Sequence, residues 1–197
     1  DGDGYAIGMG HTIHALRRNM NMTYIVMDNQ IYGLTKGQTS PSSAKGFVTK
    51  STPKGNIEKN VAPLELALSS GATFVAQGFS SDIKALTKMI EDAIHHDGFS
   101  FVNVFSPCVT YNKVNTYDWF KEHLTSIDDI EGYDITDKQL AMKTVLDHES
   151  LVKGIVYQDT TTPSYESQIS ELEHEALAKR DIHITEETFN DLTAQFL

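Results

Sequence analysis

Residues 22–29 have the sequence Met-Thr-Tyr-Ile-Val-Met-Asp-Asn, an apolar run that ends in polar residues. The apolar residues within 23–28 are unbroken rather than alternating, which predicts a short strand covered on both faces, as in a parallel sheet. Asn29 then begins the loop that follows this strand. Ligands of α/β proteins bind at the carboxyl ends of such strands. The run therefore predicts an α/β domain with a ligand site near Asn29.

A second polar motif opens the chain. Asp1-Gly2 precedes Asn29 by 28 positions and begins the glycine-rich sequence Asp-Gly-Asp-Gly. A carboxylate after one parallel strand and an amide after the next can share one small, hard cation, and oxygen ligands suit Mg²⁺, which usually keeps phosphate oxygens in its shell. The pair suggests a magnesium-diphosphate site. The residue types alone equally allow Asp1 and Asn29 to be ordinary turn and cap residues.

The remaining pattern alternates between helices and strands. In 1–117 we predict helices over 6–18, 64–70 and from Ser80 or Ser81 to His96, strands over 23–28, 72–77 and 99–105, and a long loop over 29–60. This order predicts a doubly wound, mostly parallel sheet. From residue 117 onward we predict helices over 117–124, 138–148, 165–180 and 186–196 and a short strand over 154–157. The chain is thus predicted to be an α/β cofactor-binding domain, 1–117, with an acidic and mainly helical C-terminal appendage, 118–197.

The charge, hydropathy and cysteine content of the chain exclude several classes of function. The formal net charge is −11, with 6 Lys and Arg against 18 Asp and Glu in 118–197. An acidic surface repels phosphates, so we expect no nucleic acid partner. The sequence has no apolar stretch of membrane-spanning length, so no membrane partner is expected, and a single cysteine fits a reducing, cytoplasmic location. Because the first residue lies directly on a loop motif with no strand before it, we expect a fragment lacking its N-terminal part.

Three separate segments, in order and at the expected separations, resemble one protein family. They resemble the β subunit of 2-oxoacid:ferredoxin oxidoreductases, and the resemblance spans roughly 1–117 and continues more loosely beyond. The matching segments are Asp1-Gly-Asp-Gly-Tyr-Ala-Ile-Gly8, Asn29-Gln-Ile-Tyr-Gly-Leu-Thr-Lys-Gly-Gln38 and Ser106-Pro-Cys-Val-Thr-Tyr-Asn112.

The resemblance implies a set of cofactor residues. In thiamine-diphosphate enzymes the corresponding motif binds Mg²⁺ through a carboxylate, an amide side chain and a backbone carbonyl, which here match Asp1, Asn29 and Ile31. Gly2 would let the backbone approach the diphosphate, and Gly33 would lie beside the cofactor. Thiamine diphosphate carries the carbanion chemistry of such enzymes, while the protein supplies position and charge.

The same resemblance implies further roles. Leu34 would shape the substrate pocket and Lys36 would pair with a substrate carboxylate. Cys108 matches one of four ligands of a 4Fe-4S cluster, whose other three cysteines are expected before Asp1, so we expect this chain alone to hold no iron.

The implied reaction needs partners. A 2-oxoacid, preferably 2-oxoglutarate, and coenzyme A would give acyl-CoA, carbon dioxide and reduced ferredoxin. The glutamate that activates the aminopyrimidine ring would come from the pyrimidine-binding domain of an α-type subunit, without which this chain is expected to be inactive.

Other interpretations of the same residues stay open. A non-oxidative thiamine-diphosphate enzyme, such as a 2-oxoacid decarboxylase or acetolactate synthase, would share the magnesium motif without iron. A non-catalytic magnesium-binding scaffold subunit would use the motif structurally. Cys108 would then be an ordinary buried thiol and Lys36 a solvated loop charge.

Overall fold

The computed structural model describes residues 1–172, 177–181, 183–194 and 196. Contacts divide the chain into two compact units, Asp1–Tyr165 and Glu166–Leu197. In the described part of the chain, no helix is both long and apolar enough to cross a membrane.

The first unit contains helices and strands in alternation. Their bounds are α1 Gly2–Tyr5, α2 Met9–Arg18, β1 Met22–Asp28, α3 Pro63–Ser69, β2 Phe74–Phe79, α4 Ile83–His95, β3 Phe99–Phe105, α5 Tyr117–His123, β4 Thr125–Ser126, α6 Lys138–Asp147 and β5 Val152–Gln158. The second unit contains short 3-10 turns at Glu166–Gln168, Ser170–Leu172 and Leu177–Lys179, and α7 at Glu186–Ala194.

The five strands form one mixed, mostly parallel sheet in the order β1-β3-β2-β5-β4. Strand β3 pairs in parallel with both β1 and β2, whereas β5 is antiparallel to β2 and parallel to β4. The carboxyl ends of β1, β3 and β2 therefore lie along one edge of the sheet, where their following loops meet. The predicted fold class is confirmed.

Helices cover both faces of the central strands. Successive side chains of a strand point to opposite faces. Phe99 and Phe101 accordingly pack in a buried cluster with residues of α2, α3 and α6, whereas Val102 and Val104 pack with Met89 of α4. This double covering explains why every residue of β3 is buried.

Several sequence predictions need correction. The predicted helix over 6–18 begins at Met9, after the separate four-residue helix α1. Strand β1 is not covered on both faces: it lies at the sheet edge, and the side chains of Met22, Ile25 and Met27 are exposed. The described part of the predicted 165–180 helix contains 3-10 turns only, and residues 173–176 lie outside the described residues.

The C-terminal region contributes to the sheet. Its predicted strand is longer than expected and, as β5, pairs with β2 inside the first compact unit. The division into a cofactor domain, 1–117, and a C-terminal region, 118–197, stays a prediction about function.

Candidate active site at the carboxyl ends of the strands

The first turn of the chain and the loop after β1 line one cavity of about 570 Å³. Its lining includes Asp1, Asn29, Ile31, Gly33 and Leu34. These residues come from two segments that are separated in sequence, and both lie at the carboxyl end of β1. The structure thus brings together the predicted magnesium ligands.

Asn29 and Ile31 present oxygen atoms on the same short turn. The Asn29 side-chain oxygen accepts a hydrogen bond from the Ile31 backbone N–H at 3.1 Å. An amide oxygen has two lone pairs, so this bond leaves one for a ligand. The Ile31 side chain is buried, and its carbonyl oxygen accepts no hydrogen bond from the described residues. That oxygen is therefore available to a ligand.

Hydrogen bonds at its backbone nitrogen and at its carboxylate hold Asp1 beside the cavity. Its backbone nitrogen donates to the Met27 carbonyl at 2.8 Å, and its Oδ2 accepts from the Ser42 hydroxyl at 2.7 Å. The first contact fixes the residue against the end of β1, and the second fixes the carboxylate. Asp1 therefore has a defined orientation beside the cavity.

A second carboxylate lies directly behind this site. Asp28 is 2% exposed, and burial raises the pKa of its carboxyl group, against hydrogen bonds from Ser42 and Asn103 that lower it. Asn103 also donates to Gln77 at 2.9 Å and accepts from the Tyr5 hydroxyl at 2.7 Å. A buried polar network therefore crosses the sheet behind the cavity. No Lys or Arg pairs with Asp28 among the described residues.

Gly2 lies against the ring of Tyr32. The Tyr32 hydroxyl donates to the Gly2 carbonyl at 3.2 Å, and a Cβ atom built on Gly2 would lie only 2.2 Å from Tyr32 Cε1. Only glycine fits at this position without moving the ring. Because Tyr32 also lines the cavity, this contact shapes the site.

The two predicted substrate residues differ in position. Leu34 is 99% exposed and lines the cavity, so it lies at its rim. Lys36 is exposed, has a left-handed backbone with φ of 76°, and is not among the residues that line the cavity. Its backbone N–H closes a tight turn by donating to the Gly33 carbonyl at 3.1 Å.

The loop after β3 packs against the loop after β1. The Asn112 side chain donates to the Asn29 carbonyl at 3.4 Å, and a Cβ built on Gly33 would lie 3.8 Å from Cys108 Sγ. Partial burial acts to raise the pKa of the Cys108 thiol, but backbone N–H groups of residues 110–112 and the charge of Lys113 together lower it below its ordinary value. The thiol therefore lies beside the predicted cofactor loop with its pKa lowered mainly by backbone N–H groups.

The sequence analysis gave no role to four contributors to this site: Asp28, Ser42, and Tyr32 and Asn112, which lie within the matching segments. Asp28 could have been noticed as a charged residue at the end of an apolar strand. The others depend on loop contacts across long sequence separations, which no local pattern indicates.

The oxygen set fits Mg²⁺ by its chemistry. Within the described residues, no group of three or more His, Cys, Asp or Glu side chains could hold a metal ion. A cation here would instead meet one carboxylate, one amide oxygen and one backbone carbonyl. Such a set leaves coordination positions for phosphate oxygens, as Mg²⁺ prefers.

Family models match most of the chain. Residues 1–104 match the C-terminal TPP binding domain of thiamine pyrophosphate enzymes, and residues 108–174 match the C-terminal part of the pyruvate ferredoxin oxidoreductase β subunit. The first match covers more than half of the chain and the whole candidate site except Cys108 and Asn112. The class is therefore that of thiamine pyrophosphate enzymes.

Individual relatives show which family of thiamine pyrophosphate enzymes the chain resembles. A 2-oxoacid:ferredoxin oxidoreductase subunit beta from a Sulfolobus species is 41% identical over 179 residues, which cover 86% of this chain and 59% of the relative. The 2-oxoglutarate oxidoreductase subunit KorB of Mycobacterium tuberculosis is 47% identical over 112 residues, 57% of this chain and 30% of the relative. The chain belongs to the β-subunit family of 2-oxoacid:ferredoxin oxidoreductases, which confirms the resemblance.

A solved structure has the same fold. It is a 2-oxoglutarate:ferredoxin oxidoreductase from Magnetococcus marinus with 2-oxoglutarate, coenzyme A and succinyl-CoA bound. The TM-score is 0.85 at 35% sequence identity, and the match covers 98% of this chain and 65% of that chain. This chain thus spans about three fifths of the length of the Sulfolobus relative and just under two thirds of the Magnetococcus chain.

Proposed function

We propose that this chain is the cofactor-binding part of a 2-oxoacid:ferredoxin oxidoreductase. The assembled enzyme would convert a 2-oxoacid and coenzyme A to acyl-CoA, carbon dioxide and reduced ferredoxin. The observation that carries the proposal is the meeting of Asp1, Asn29 and Ile31 on one cavity. These residues are those that the family resemblance assigns to Mg²⁺.

The residues fit a magnesium-bound diphosphate. Asp1 would supply a carboxylate oxygen, Asn29 its side-chain oxygen and Ile31 its backbone carbonyl. Asp1 and the buried Asp28 both contact the same serine hydroxyl, so a divalent cation would also offset the repulsion between two neighbouring carboxylates. This argument for a cation rests on the positions of the two carboxylates and does not depend on any sequence motif.

The surrounding residues would position the cofactor and the substrate. When bound, thiamine diphosphate supplies a carbanion for attack on the 2-oxo carbon and a ring that accepts the electron pair left by carbon dioxide. Gly2 and Gly33 keep the backbone beside the cavity free of side chains. Leu34 at the rim would exclude water from the reacting groups, and Lys36, two residues further along the same turn but outside the cavity lining, would attract a substrate carboxylate toward the cavity.

Cys108 would ligate one iron of a 4Fe-4S cluster. The backbone N–H groups that lower the pKa of its thiol would also stabilise a bound thiolate. The cysteine is the only one in the sequence, so three further ligands would have to come from outside this chain. Its proximity to Gly33 would place the cluster near the cofactor loop.

The proposed partners follow from the relatives. Their names as β subunits support an α-type partner, which would carry the pyrimidine-binding domain and its glutamate. Ferredoxin would accept the electrons. We propose 2-oxoglutarate as the preferred 2-oxoacid, because a relative is named for it and the similar solved structure contains it.

Calorimetry with thiamine diphosphate and Mg²⁺ tests the proposal. The assembled protein should bind the pair, and Asp1→Asn or Asn29→Ala should abolish measurable binding. Asp191→Asn is the matched control, because Asp191 is an exposed carboxylate that does not line this cavity. Equal binding by wild type and the Asp1 and Asn29 variants would refute the magnesium site and favour a scaffold.

A further inference from the structure

Ser42 links the long loop to the carboxylate of Asp1. It lies in the middle of the loop after β1, is 4% exposed, and its hydroxyl oxygen is 2.7 Å from Asp1 Oδ2 and 2.7 Å from Asp28 Oδ1. Asp1 and Ser42 are 41 positions apart in sequence. A loop residue thus contacts the proposed magnesium ligand directly.

The Ser42 hydroxyl matters more as a hydrogen-bond donor to Asp1 than as a donor to Asp28. A serine hydroxyl has one hydrogen, so it donates to one carboxylate at a time. Asp28 also accepts from the Gln30 backbone N–H at 3.2 Å and from the Asn103 side chain at 3.4 Å. The Asp1 carboxylate accepts no other hydrogen bond from the described residues. Loss of Ser42 would therefore leave Asp1, rather than Asp28, without a donor.

The contact also determines which carboxylate oxygen of Asp1 is available to bind a cation. Ser42 contacts Oδ2, and Oδ1 accepts no hydrogen bond from the described part of the chain. A carboxylate fixed through one oxygen can bind a cation through the other, in a single orientation. Hydrogen bonds of this kind to ligating carboxylates tune metal affinity.

The segment that carries Ser42 is itself rigidly held. The Ser43 hydroxyl donates to the Gln30 carbonyl at 2.6 Å, and the Val61 N–H donates to the Pro41 carbonyl at 2.8 Å. Gln30 is the residue between Asn29 and Ile31. The same short segment is thereby tied to both halves of the proposed cation site.

We propose that Ser42 is a positioning residue for the divalent cation. Its hydroxyl fixes the rotamer of Asp1 so that Oδ1 points to the cavity, and its loop keeps this carboxylate in register with Asn29 and Ile31. The inference rests on the proposed magnesium site and extends it to a residue of the long loop.

Binding of Mn²⁺ in the presence of thiamine diphosphate, followed by the electron paramagnetic resonance signal of the free ion, tests this role in the assembled protein. Ser42→Ala should weaken Mn²⁺ binding by about 10- to 100-fold, the usual effect of losing such an outer partner. Ser40→Ala is the matched control: Ser40 is buried in the same segment, but among the described residues its hydroxyl contacts Ser42 and Ser43 and neither carboxylate. It should bind Mn²⁺ like wild type.

Two further measurements separate positioning from folding. In metal-free buffer, Ser42→Ala and Ser40→Ala should have the same unfolding midpoint. If Ser42 were needed only for folding, Ser42→Ala would instead unfold at a lower midpoint than Ser40→Ala and would lose Mn²⁺ affinity for that reason. Ser42→Cys keeps the packing with a weak donor and should also bind Mn²⁺ less tightly than wild type.

The outcomes distinguish the two proposals. Wild-type affinity in Ser42→Ala or Ser42→Cys would overturn the role of Ser42, as would equal weakening in Ser42→Ala and Ser40→Ala. If Asp1→Asn binds Mn²⁺ as well as wild type does, the magnesium site itself is wrong, and the role of Ser42 is refuted with it.

Discussion

Replacement of Gly2 by alanine tests the packing of the candidate site. A Cβ at Gly2 would lie 2.2 Å from Tyr32 Cε1 and 2.8 Å from Cδ1, closer than real atoms approach. The Tyr32 backbone cannot move away easily, because its N–H donates to the Gln38 carbonyl and its carbonyl accepts from the Gly37 N–H, each at 2.9 Å. The ring must therefore rotate, and it loses its hydrogen bond to the Gly2 carbonyl.

The expected cost follows from these contacts. Overpacking of this kind costs about 1–3 kcal/mol, and the lost hydrogen bond adds about 1 kcal/mol. We expect Gly2→Ala to lower the free energy of unfolding by about 2 kcal/mol. Because Tyr32 lines the cavity, the displaced ring should also weaken thiamine diphosphate binding by about tenfold, or about 1.4 kcal/mol.

Urea unfolding and calorimetry measure both effects. Gly10→Ala is the matched control, because a Cβ there meets no atom within 4 Å and the residue lies in α2. It should stabilise the chain by about 0.5 kcal/mol. Adding Tyr32→Ala to Gly2→Ala should remove the clash, giving a coupling energy of about 1–2 kcal/mol. A Gly2→Ala variant as stable and as tightly binding as wild type would refute the reasoning.

Three further predictions concern other features. The Gln77 side-chain nitrogen lies 2.7 Å from each of the Ser150 and Val152 carbonyls, and Gln77→Leu removes this donor. The free energy of unfolding, measured in urea, should fall by about 2–4 kcal/mol. Unchanged stability would contradict this. Hydrogen bonds, the largest from Thr162, lower the pKa of Asp159 to about 2, so its ionised form stabilises the fold above its ordinary pKa of 3.8. Asp159→Asn should cost about 1 kcal/mol at neutral pH after allowance for solvent screening, and the difference from wild type should vanish as pH falls toward 2; a pH-independent difference would refute it. Lys36→Ala should raise the Michaelis constant for 2-oxoglutarate more than for pyruvate in the assembled enzyme, and equal effects would defeat its role.

Local patterns predicted most of the regular structure. Strand β3 has the predicted bounds, Phe99–Phe105, because helices cover both of its faces and every position is apolar or buried. Helix α5 ends one residue before the prediction. These elements depend on residues close in sequence, so their periodicity and caps suffice.

Long-range contacts account for what the sequence did not reveal. Strand β1 has the composition of a covered strand, yet among the described residues it pairs only with β3, and its edge position depends on topology. The bond between Ser42 and Asp1 joins a loop without periodicity to a residue 41 positions away. For Asp1, Asn29 and Ile31, the family resemblance supplied the roles, and the parallel order of the strands explains why these residues meet.

A crystal structure of the assembled protein with thiamine diphosphate and Mn²⁺, recorded at the manganese absorption edge, locates the ion itself. We predict one anomalous peak about 2.0–2.3 Å from a carboxylate oxygen of Asp1, the side-chain oxygen of Asn29 and the carbonyl oxygen of Ile31. A peak that contacts Asp1 without Asn29, or that lies outside this cavity, would contradict the shared cation site.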